Sequence, residues 1–323
     1  LLRVIARRVA FGAVTAWGVV TVVFLTFTQT PDWVADQVAG DIRRRELSGI
    51  GVDPDTIDRE ATSAMIEEAL AEYAGARGFD RPLHEQYVDW MGDMLTLNWG
   101  TSFATGEEVF PMVTDATTRT AMYVVPSVVL AVLIGTLVGL YAALSPDSRL
   151  ANTGRLGSYA VFAVPSFWIG GMFISASRGG IIGTSPLLFD HILPIALVTM
   201  TLLGGYVSYS RAYAKEFVSA DFVTLVRAKG AGPVRVARHV LRNAAIPLVA
   251  MLFTEALGLL VLGIFVIEVL FGIEGFGLVF FEAIDGRDLP VLLGSALVII
   301  LVAVLGNVIQ DLSYHYLDPR VEE

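Results

Sequence analysis

The chain has 323 residues, of which 54% are hydrophobic and 17% are charged, and its mean hydropathy is +0.64. This composition is too apolar for a water-soluble domain of this size. The absence of cysteine excludes disulfides, thiolate metal sites and cysteine nucleophiles. A net charge of −10 does not suit a nucleic-acid-binding protein. Several apolar runs are long enough to span the hydrocarbon core of a bilayer, so the composition predicts a membrane protein.

The first apolar run, 9–27, follows the basic residues Arg3, Arg7 and Arg8. Basic residues beside a first span predict a cytoplasmic N-terminus. The run is too long for a removable signal peptide and lacks a small-residue cleavage site. We therefore predict that residues 1–28 form a cytoplasmic N-terminus and a first span.

An acidic segment, 29–118, follows this span. It holds 18 of the 32 Asp and Glu residues of the chain, with six Arg and no Lys, which predicts an extracytoplasmic insert. Apolar residues recur at helical spacing in 56–74 and again in 82–97. The apolar face of the second stretch consists of Leu83, Tyr87, Trp90, Met91 and Met94. We expect two or three short helices that form a cap over the pore.

The second span is predicted over 121–144, with Pro126 in its first turns, where a missing N–H is tolerated. Gly135 and Gly139 form a GxxxG pattern, which allows another helix to approach closely. A short cytoplasmic turn is expected to follow over 145–155.

The third span is predicted over 156–176 and contains Pro165 followed by Ser166. Proline lacks a backbone N–H and frees a carbonyl, so we expect a kink at this point. The residues leave open whether the kink serves packing alone or the transport path.

Three further spans are predicted over about 192–210, 244–271 and 291–309. The fifth is longer than a bilayer requires, so it is expected to be tilted or broken. Six spans place both termini in the cytoplasm, with a permease core over 119–310 and a cytoplasmic tail over 311–323. The short loops decide this orientation, and both lysines of the chain, Lys215 and Lys229, lie in the proposed inner loop.

That inner loop, 211–243, is patterned rather than merely polar. Apolar residues recur near helical spacing before a small-residue turn that ends in Pro233, which a helix does not cross. A second amphipathic run follows the turn. The apolar residues of the two runs are Phe217, Phe222, Leu225, Val226, Val234, Val236, Val240 and Leu241. The pattern predicts a short helix, a tight glycine turn and a second helix at the cytoplasmic membrane surface.

Several motifs resemble those of ABC importer permeases, and specifically the B-type subunit of dipeptide and oligopeptide permeases. They are Val226–Gly230 with His239–Pro247 in the inner loop, Trp99–Ser102, Ala163–Trp168, Phe271–Gly277, Gly286–Val291 and the tail from Asn307 to Arg320. The chain departs from the family pattern in three places. It lacks the Glu-Ala-Ala opening of the loop signature, has Glu274 where the family has proline, and has Leu289 where the family has tyrosine.

The resemblance implies the all-α, six-span type I ABC importer permease fold. It also implies a homologous second permease subunit, two ABC ATPase subunits, an extracytoplasmic solute-binding protein and the lipid bilayer as partners, in the plasma membrane. ATP and Mg²⁺ would lie on the ATPase subunits, with no cofactor on this chain. The residues expected to contact the ATPase are Phe222, Arg227, Ala228, Lys229, Gly230, Ala231, Gly232 and His239. Short peptides are the implied substrate, while the same fold also imports nickel complexes and sugars.

Candidate residues of the substrate path are Glu255 and Glu268 in the fifth span and the pair Pro165 and Ser166 in the third. Buried carboxylates within a membrane are costly and usually face water or a partner. Glu268 matches a glutamate that the family often has before its outer turn. Glu255 either lines the path or makes an interhelical contact.

Enzyme signatures are absent from the sequence. The four histidines do not cluster, and no HExxH, GxSxG or GxxxxGK[ST] pattern occurs, so a non-catalytic permease subunit is expected. The rival interpretations are an ion-coupled secondary transporter or channel, which would need intramembrane ion ligands, and a membrane scaffold. Co-purification of ATPase subunits with the chain would distinguish these three interpretations.

The predicted orientation is tested by single cysteines in a chain that has none of its own. Ser63→Cys in the acidic insert and Ser219→Cys in the inner loop are expected to react with a membrane-impermeant reagent from opposite sides. Labelling of both from one side would contradict the topology.

Overall fold

The computed structural model describes residues 2–28, 35–36, 39–40, 42, 44, 59–77, 81–258, 264–286 and 288–317. These residues form helices and short connections without any β-strand. An isolated bridge pairs Thr101 with Glu108. The all-α prediction is therefore confirmed for the described residues.

The helices follow in chain order. They are α1 (Leu2–Thr28), α2 (Arg59–Arg77), α3 (Leu83–Leu95), α4 (Val109–Leu144), α5 (Arg149–Ala163), α6 (Ser166–Arg178), a π-helical turn (Leu187–Ile192) that continues into α7 (Leu193–Val218), α8 (Asp221–Ala228), α9 (Pro233–Gly258), α10 (Ile264–Phe271), α11 (Phe276–Asp285) and α12 (Leu289–Leu317).

Three helical segments are long and apolar enough to cross a membrane, namely Val109–Leu144, Leu187–Val218 and Leu289–Gln310. Two bent pairs, α5 with α6 and α10 with α11, raise the number to five if each pair is one span. A shorter apolar stretch, Ala10–Thr26, lies within α1. The structure thus supports a multi-pass helical protein, and the count of six spans stays a prediction.

Span two begins earlier than the hydropathy indicated. Helix α4 starts at Val109, twelve residues before the expected 121, so Pro126 lies well inside the helix and not in its first turns. The expectation of a turn over 145–155 is also wrong, since α5 begins at Arg149, with the Ser148 side chain accepting a hydrogen bond from the Ala151 N–H. Polar residues at these ends lowered the hydropathy without breaking the helices.

The kink expected at Pro165 is confirmed. Helix α5 ends at Ala163 and α6 begins at Ser166, and the two axes differ by 76°. The proline has φ −59° and ψ 123°, an extended conformation that a helix cannot continue through.

The predicted fifth span, 244–271, includes residues that lie outside the described ones. Helix α9 runs without interruption from Pro233 to Gly258, so it joins the second amphipathic run of the inner loop to the apolar segment. Helix α10 then begins at Ile264, and a bend of 93° separates it from α11. The tilt or break expected within this span stays a prediction.

The chain divides into two compact units, 1–17 with 111–323 and 18–110. In the second unit, Phe24 of α1 packs against Tyr87 and Trp90 of α3, with ring centroids 5.3 Å and 5.0 Å apart. Thr21 and Tyr87 share a hydrogen bond of 2.7 Å. Of the apolar face expected on α3, Leu83 is exposed, while the aromatic residues are partly buried.

In the larger unit, the GxxxG pair of α4 provides the close approach that the pattern predicted. A Cβ on Gly139 would lie 2.7 Å from both Ser210 Cβ and the Val207 carbonyl oxygen of α7, and a Cβ on Gly135 would clash with Tyr206. The Ser210 hydroxyl donates to the Thr136 carbonyl across this contact at 3.2 Å. The absence of side chains at these two positions therefore lets α4 and α7 pack backbone to backbone.

We expect Gly139→Ala to lower the unfolding midpoint in detergent, since overpacking such a contact costs about 1–3 kcal/mol. Gly157→Ala in α5 is the matched control, because no atom lies within 4 Å of its added Cβ and alanine favours a helix. Equal midpoints for the two variants would show that the α4–α7 contact is not tight.

Candidate functional site

The inner loop folds as two helices that lie against the ends of longer ones. The apolar faces of α8 and α9 share one hydrophobic cluster with α4 and α7. The buried members of this cluster are Leu140, Ala143, Ala214, Val223, Val236 and Val240, and the partly buried members include Phe217, Phe222, Val226, Ala231 and Leu241. Helix α8 is therefore packed directly against the ends of two long helices, α4 and α7.

A glycine turn joins α8 to α9 in the geometry that the sequence predicted. Gly230 has φ +77°, a conformation that side chains other than glycine adopt at a cost. The Ala231 N–H donates to the Val226 carbonyl and the Gly230 N–H to the Arg227 carbonyl. This pair of bonds is a Schellman motif, which satisfies the last carbonyls of α8 and stops the helix.

The tip of this turn is open to its surroundings. Six of the eight residues proposed to contact the ATPase are exposed, and they are Arg227, Ala228, Lys229, Gly230, Gly232 and His239. The other two, Phe222 and Ala231, are partly buried in the apolar cluster. These two residues thus connect the turn to the apolar cluster.

Two apolar residues of the amphipathic runs are not buried as expected. Leu225 of α8 is 56% exposed and Val234 of α9 is 76% exposed. They lie near the turn among the exposed basic and small residues. An apolar and cationic surface of this kind is suited to contact with another protein.

The second candidate site is the carboxylate of Glu268 in α10, which is entirely buried. It accepts hydrogen bonds from the hydroxyls of Thr120 and Tyr123 in α4, at 2.5 Å and 2.8 Å. The carboxylate also accepts from the Leu278 N–H of α11 at 2.8 Å. Glu268 therefore joins three helices at the point where the chain reverses.

These bonds satisfy the first N–H groups of α11, which have no partner within the helix. The Phe276 N–H donates to the Thr120 hydroxyl at 2.8 Å, and the Gly277 N–H bonds the same carboxylate as Leu278. The Val279 N–H donates to the Gly275 carbonyl at 3.0 Å. A negative side chain at a helix N-terminus also interacts favourably with the helix dipole.

The glycines of the Phe271–Gly277 motif allow this approach. A Cβ on Gly275 would clash with the Glu268 carboxylate and lie 2.6 Å from the Thr120 hydroxyl oxygen. A Cβ on Gly277 would lie 2.8 Å from the Phe265 backbone nitrogen. Any larger residue at either position would push α11 away from its anchor.

Glu274, which replaces the family's proline, makes a further contact between the same turn and α4 at the protein surface. Its carboxylate forms an ion pair of 2.5 Å with Arg119 of α4, and the Arg119 guanidinium also reaches the Glu274 carbonyl at 3.4 Å. Both side chains are largely exposed, so the pair adds little stability compared with the buried bonds.

The structure does not bring the substrate-path candidates together. Pro165 is exposed and Ser166 partly buried at the α5–α6 bend, whereas Glu268 is buried and fully engaged with α4 and α11. The lining role proposed for Glu268 stays a prediction that this burial does not favour. Glu255 lies within α9, and the structure does not describe its side chain.

Sequence reasoning missed Thr120 and Tyr123 as partners of Glu268. Their spacing of three residues on α4 places them on one helix face, but no local signal connects that face to a glutamate far along the chain. Among the residues that the structure describes, no cluster of three metal-ligating side chains occurs.

The family model of the binding-protein-dependent transport system inner membrane component matches residues 135–323. This match includes the turn at Gly230 and the Glu268 anchor. The chain belongs to this family. It is therefore a multi-pass membrane transport component, and the predicted resemblance to ABC importer permeases is confirmed.

Curated members of the family align with most of the chain. A di/tripeptide transport system permease protein of Pseudomonas aeruginosa is 28% identical over 99% of both chains. An oligopeptide transport system permease protein of Bacillus subtilis is 28% identical over 84% of this chain and 90% of its own. A metal-staphylopine import system permease protein of Staphylococcus aureus is 28% identical over 82% of this chain and 86% of its own.

For this permease we expect Glu268→Gln to loosen the reversal at α11. A glutamine amide has one acceptor oxygen where the carboxylate has two, so it leaves buried donors unpaired at about 1–3 kcal/mol. Hydrogen exchange of the amides in 276–279 is expected to accelerate. Glu274→Gln, which removes only the exposed ion pair, is the control and should leave this exchange unchanged. Equal protection in both variants would refute the anchoring role.

Proposed function

We propose that the chain and a homologous second subunit form the translocation path of an ATP-driven importer. Two ABC ATPase subunits would dock at the turn between α8 and α9, and an extracytoplasmic binding protein would deliver short peptides. The observation that carries this proposal is the exposed tip Ala228–Gly230, held by a Schellman motif on helices anchored in the apolar cluster.

The anchoring explains how a force at the tip would reach the membrane. Val223 of α8 and Val240 of α9 are almost completely buried against α4 and α7, so the tip does not move independently of them. Helix α9 continues without interruption to Gly258. Closure of the ATPase pair would therefore tilt whole helices and alternate access to the path.

The chemistry of ATP hydrolysis would lie on the ATPase subunits, with ATP and Mg²⁺ bound there. The tip itself offers small residues that fit a groove and two cations, Arg227 and Lys229. Positive charge near the C-terminus of α8 is favourable for the helix and complements acidic residues on a partner. This arrangement requires 211–243 and both termini to face the cytoplasm.

Short peptides are the proposed substrates, since the relatives from P. aeruginosa and B. subtilis are peptide permeases by name. A metal complex is the second candidate, because the S. aureus relative imports metal-staphylopine. Competition for uptake between labelled di- and tripeptides and unlabelled metal chelates would distinguish the two.

An ion-coupled transporter would instead drive uptake without ATPase subunits. Glu255 remains a proposed path residue.

The coupling role is tested by Gly230→Glu. The substitution adds bulk, the cost of a positive φ and a charge of the wrong sign, while no described atom lies within 4 Å of the added Cβ. We expect ATPase subunits to co-purify poorly and uptake to fall by at least tenfold, while the membrane spans stay folded.

Two control variants separate the causes. Gly230→Asn tolerates a positive φ and adds no charge, so it should retain most uptake. Arg149→Glu introduces a negative charge at the start of α5, away from the turn, and should have much less effect. If Gly230→Glu retained ATPase binding and full uptake, the docking site would lie elsewhere.

A further inference from the structure

A stripe of three arginines runs along the first turns of α9. Arg235, Arg238 and Arg242 recur at intervals of three and four residues, so they lie on one helix face within about 60° of each other. All three are exposed, whereas Val236 and Val240 on the opposite face are buried in the apolar cluster. The stripe therefore faces away from the protein core.

We place the stripe from the continuity of α9 and from the fifth span predicted over 244–271. The helix that carries the arginines is the one that becomes the apolar segment from Ala244 onwards. At 1.5 Å per residue, Arg235 precedes Ala244 by roughly 13 Å along the axis and Arg242 by roughly 3 Å. This interval covers the polar headgroup layer, which is about 5–8 Å thick on each side of the hydrocarbon core.

The charges of the stripe are available to an anionic ligand. No ion pair joins these three guanidinium groups to a carboxylate among the residues that the structure describes. In a chain of net charge −10, this is a local concentration of positive charge. Guanidinium groups bind phosphate oxygens through paired hydrogen bonds.

We propose that this stripe binds anionic phospholipid headgroups of the inner leaflet and so sets the depth of α9 in the membrane. The proposal rests on the cytoplasmic orientation of the inner loop in the proposed function. Lipid is favoured over the ATPase as occupant because Arg238 and Arg242 lie on the stretch of α9 that leads into the apolar segment, whereas the exposed tip that suits a protein groove is at Ala228–Gly230. Each basic residue beside the membrane raises the affinity for anionic lipids about fivefold.

The binding is tested on the full chain purified in detergent. Phosphatidylglycerol and phosphatidylcholine are titrated separately, and bound lipid is counted by native mass spectrometry. The wild type is expected to prefer phosphatidylglycerol at low salt and to lose that preference in 0.5 M salt, because the attraction is between exposed charges. A wild type without any preference would overturn the proposal before any variant is made.

The variant Arg238→Gln with Arg242→Gln is expected to lower phosphatidylglycerol affinity at least tenfold and to leave phosphatidylcholine binding unchanged. The matched control is Arg149→Gln with Arg155→Gln on α5, which removes the same charge from two residues that do not share one helix face and should lower the affinity clearly less. Equal losses in the two double variants would mean that net charge alone attracts lipid, and the proposal would fail. Arg238→Lys with Arg242→Lys keeps the charge and should restore most of the affinity.

Two further results separate this proposal from the proposed function. Gly230→Glu should leave lipid binding unchanged while it disrupts ATPase binding. If the arginine variant instead kept its lipid preference and lost ATPase subunits, the stripe would be a protein interface and the lipid assignment would be wrong. If lipid binding behaved as expected but no ATPase bound the wild type, only the proposed function would fail.

Discussion

The structure depends on one constraint of the bilayer, which is that backbone polar groups without water must find partners in the protein. Helices satisfy their own groups, so the difficult points are the places where a helix stops. The reversal between α10 and α11 is such a point. There, the buried Glu268 carboxylate and the Thr120 hydroxyl bind the free N–H groups at the start of α11. The glutamate and the threonine thus hold α10 and α11 together at their 93° bend.

The other interruptions are resolved by different means. At Pro165 the ring ends α5 and starts α6, because proline has no N–H to satisfy. At Gly230 the chain closes α8 with its own backbone bonds. The reversal at Glu268 and the bend at Pro165 shape the membrane-embedded core, while the turn at Gly230 presents a small, exposed tip. The proposed docking surface is therefore a helix end whose polar groups are already paired and which remains free to contact a partner.

Close packing links these points into one mechanical unit. The glycines of α4 bring its backbone against α7, and the same two helices receive the apolar faces of α8 and α9 at one end. Helix α4 also supplies Thr120 and Tyr123 to Glu268 further along its length. In the proposed function, motion at the ATPase contact would reach the Glu268 site through this one helix. The arginine stripe on α9 would in addition hold that helix at a fixed depth relative to the lipid headgroups.

The sequence by itself determined the membrane class, the helical architecture, the GxxxG approach, the bend at Pro165 and the glycine turn between α8 and α9. Each of these follows from hydropathy, from the absence of a side chain or from a proline ring, which act within a few residues. Only the tertiary structure decided that Glu268 is paired with a hydroxyl 148 residues away, that α9 is continuous from the inner loop into the apolar segment, and that Leu225 and Val234 stay exposed. These features depend on which helix faces meet, and periodicity identifies an apolar face without identifying its partner.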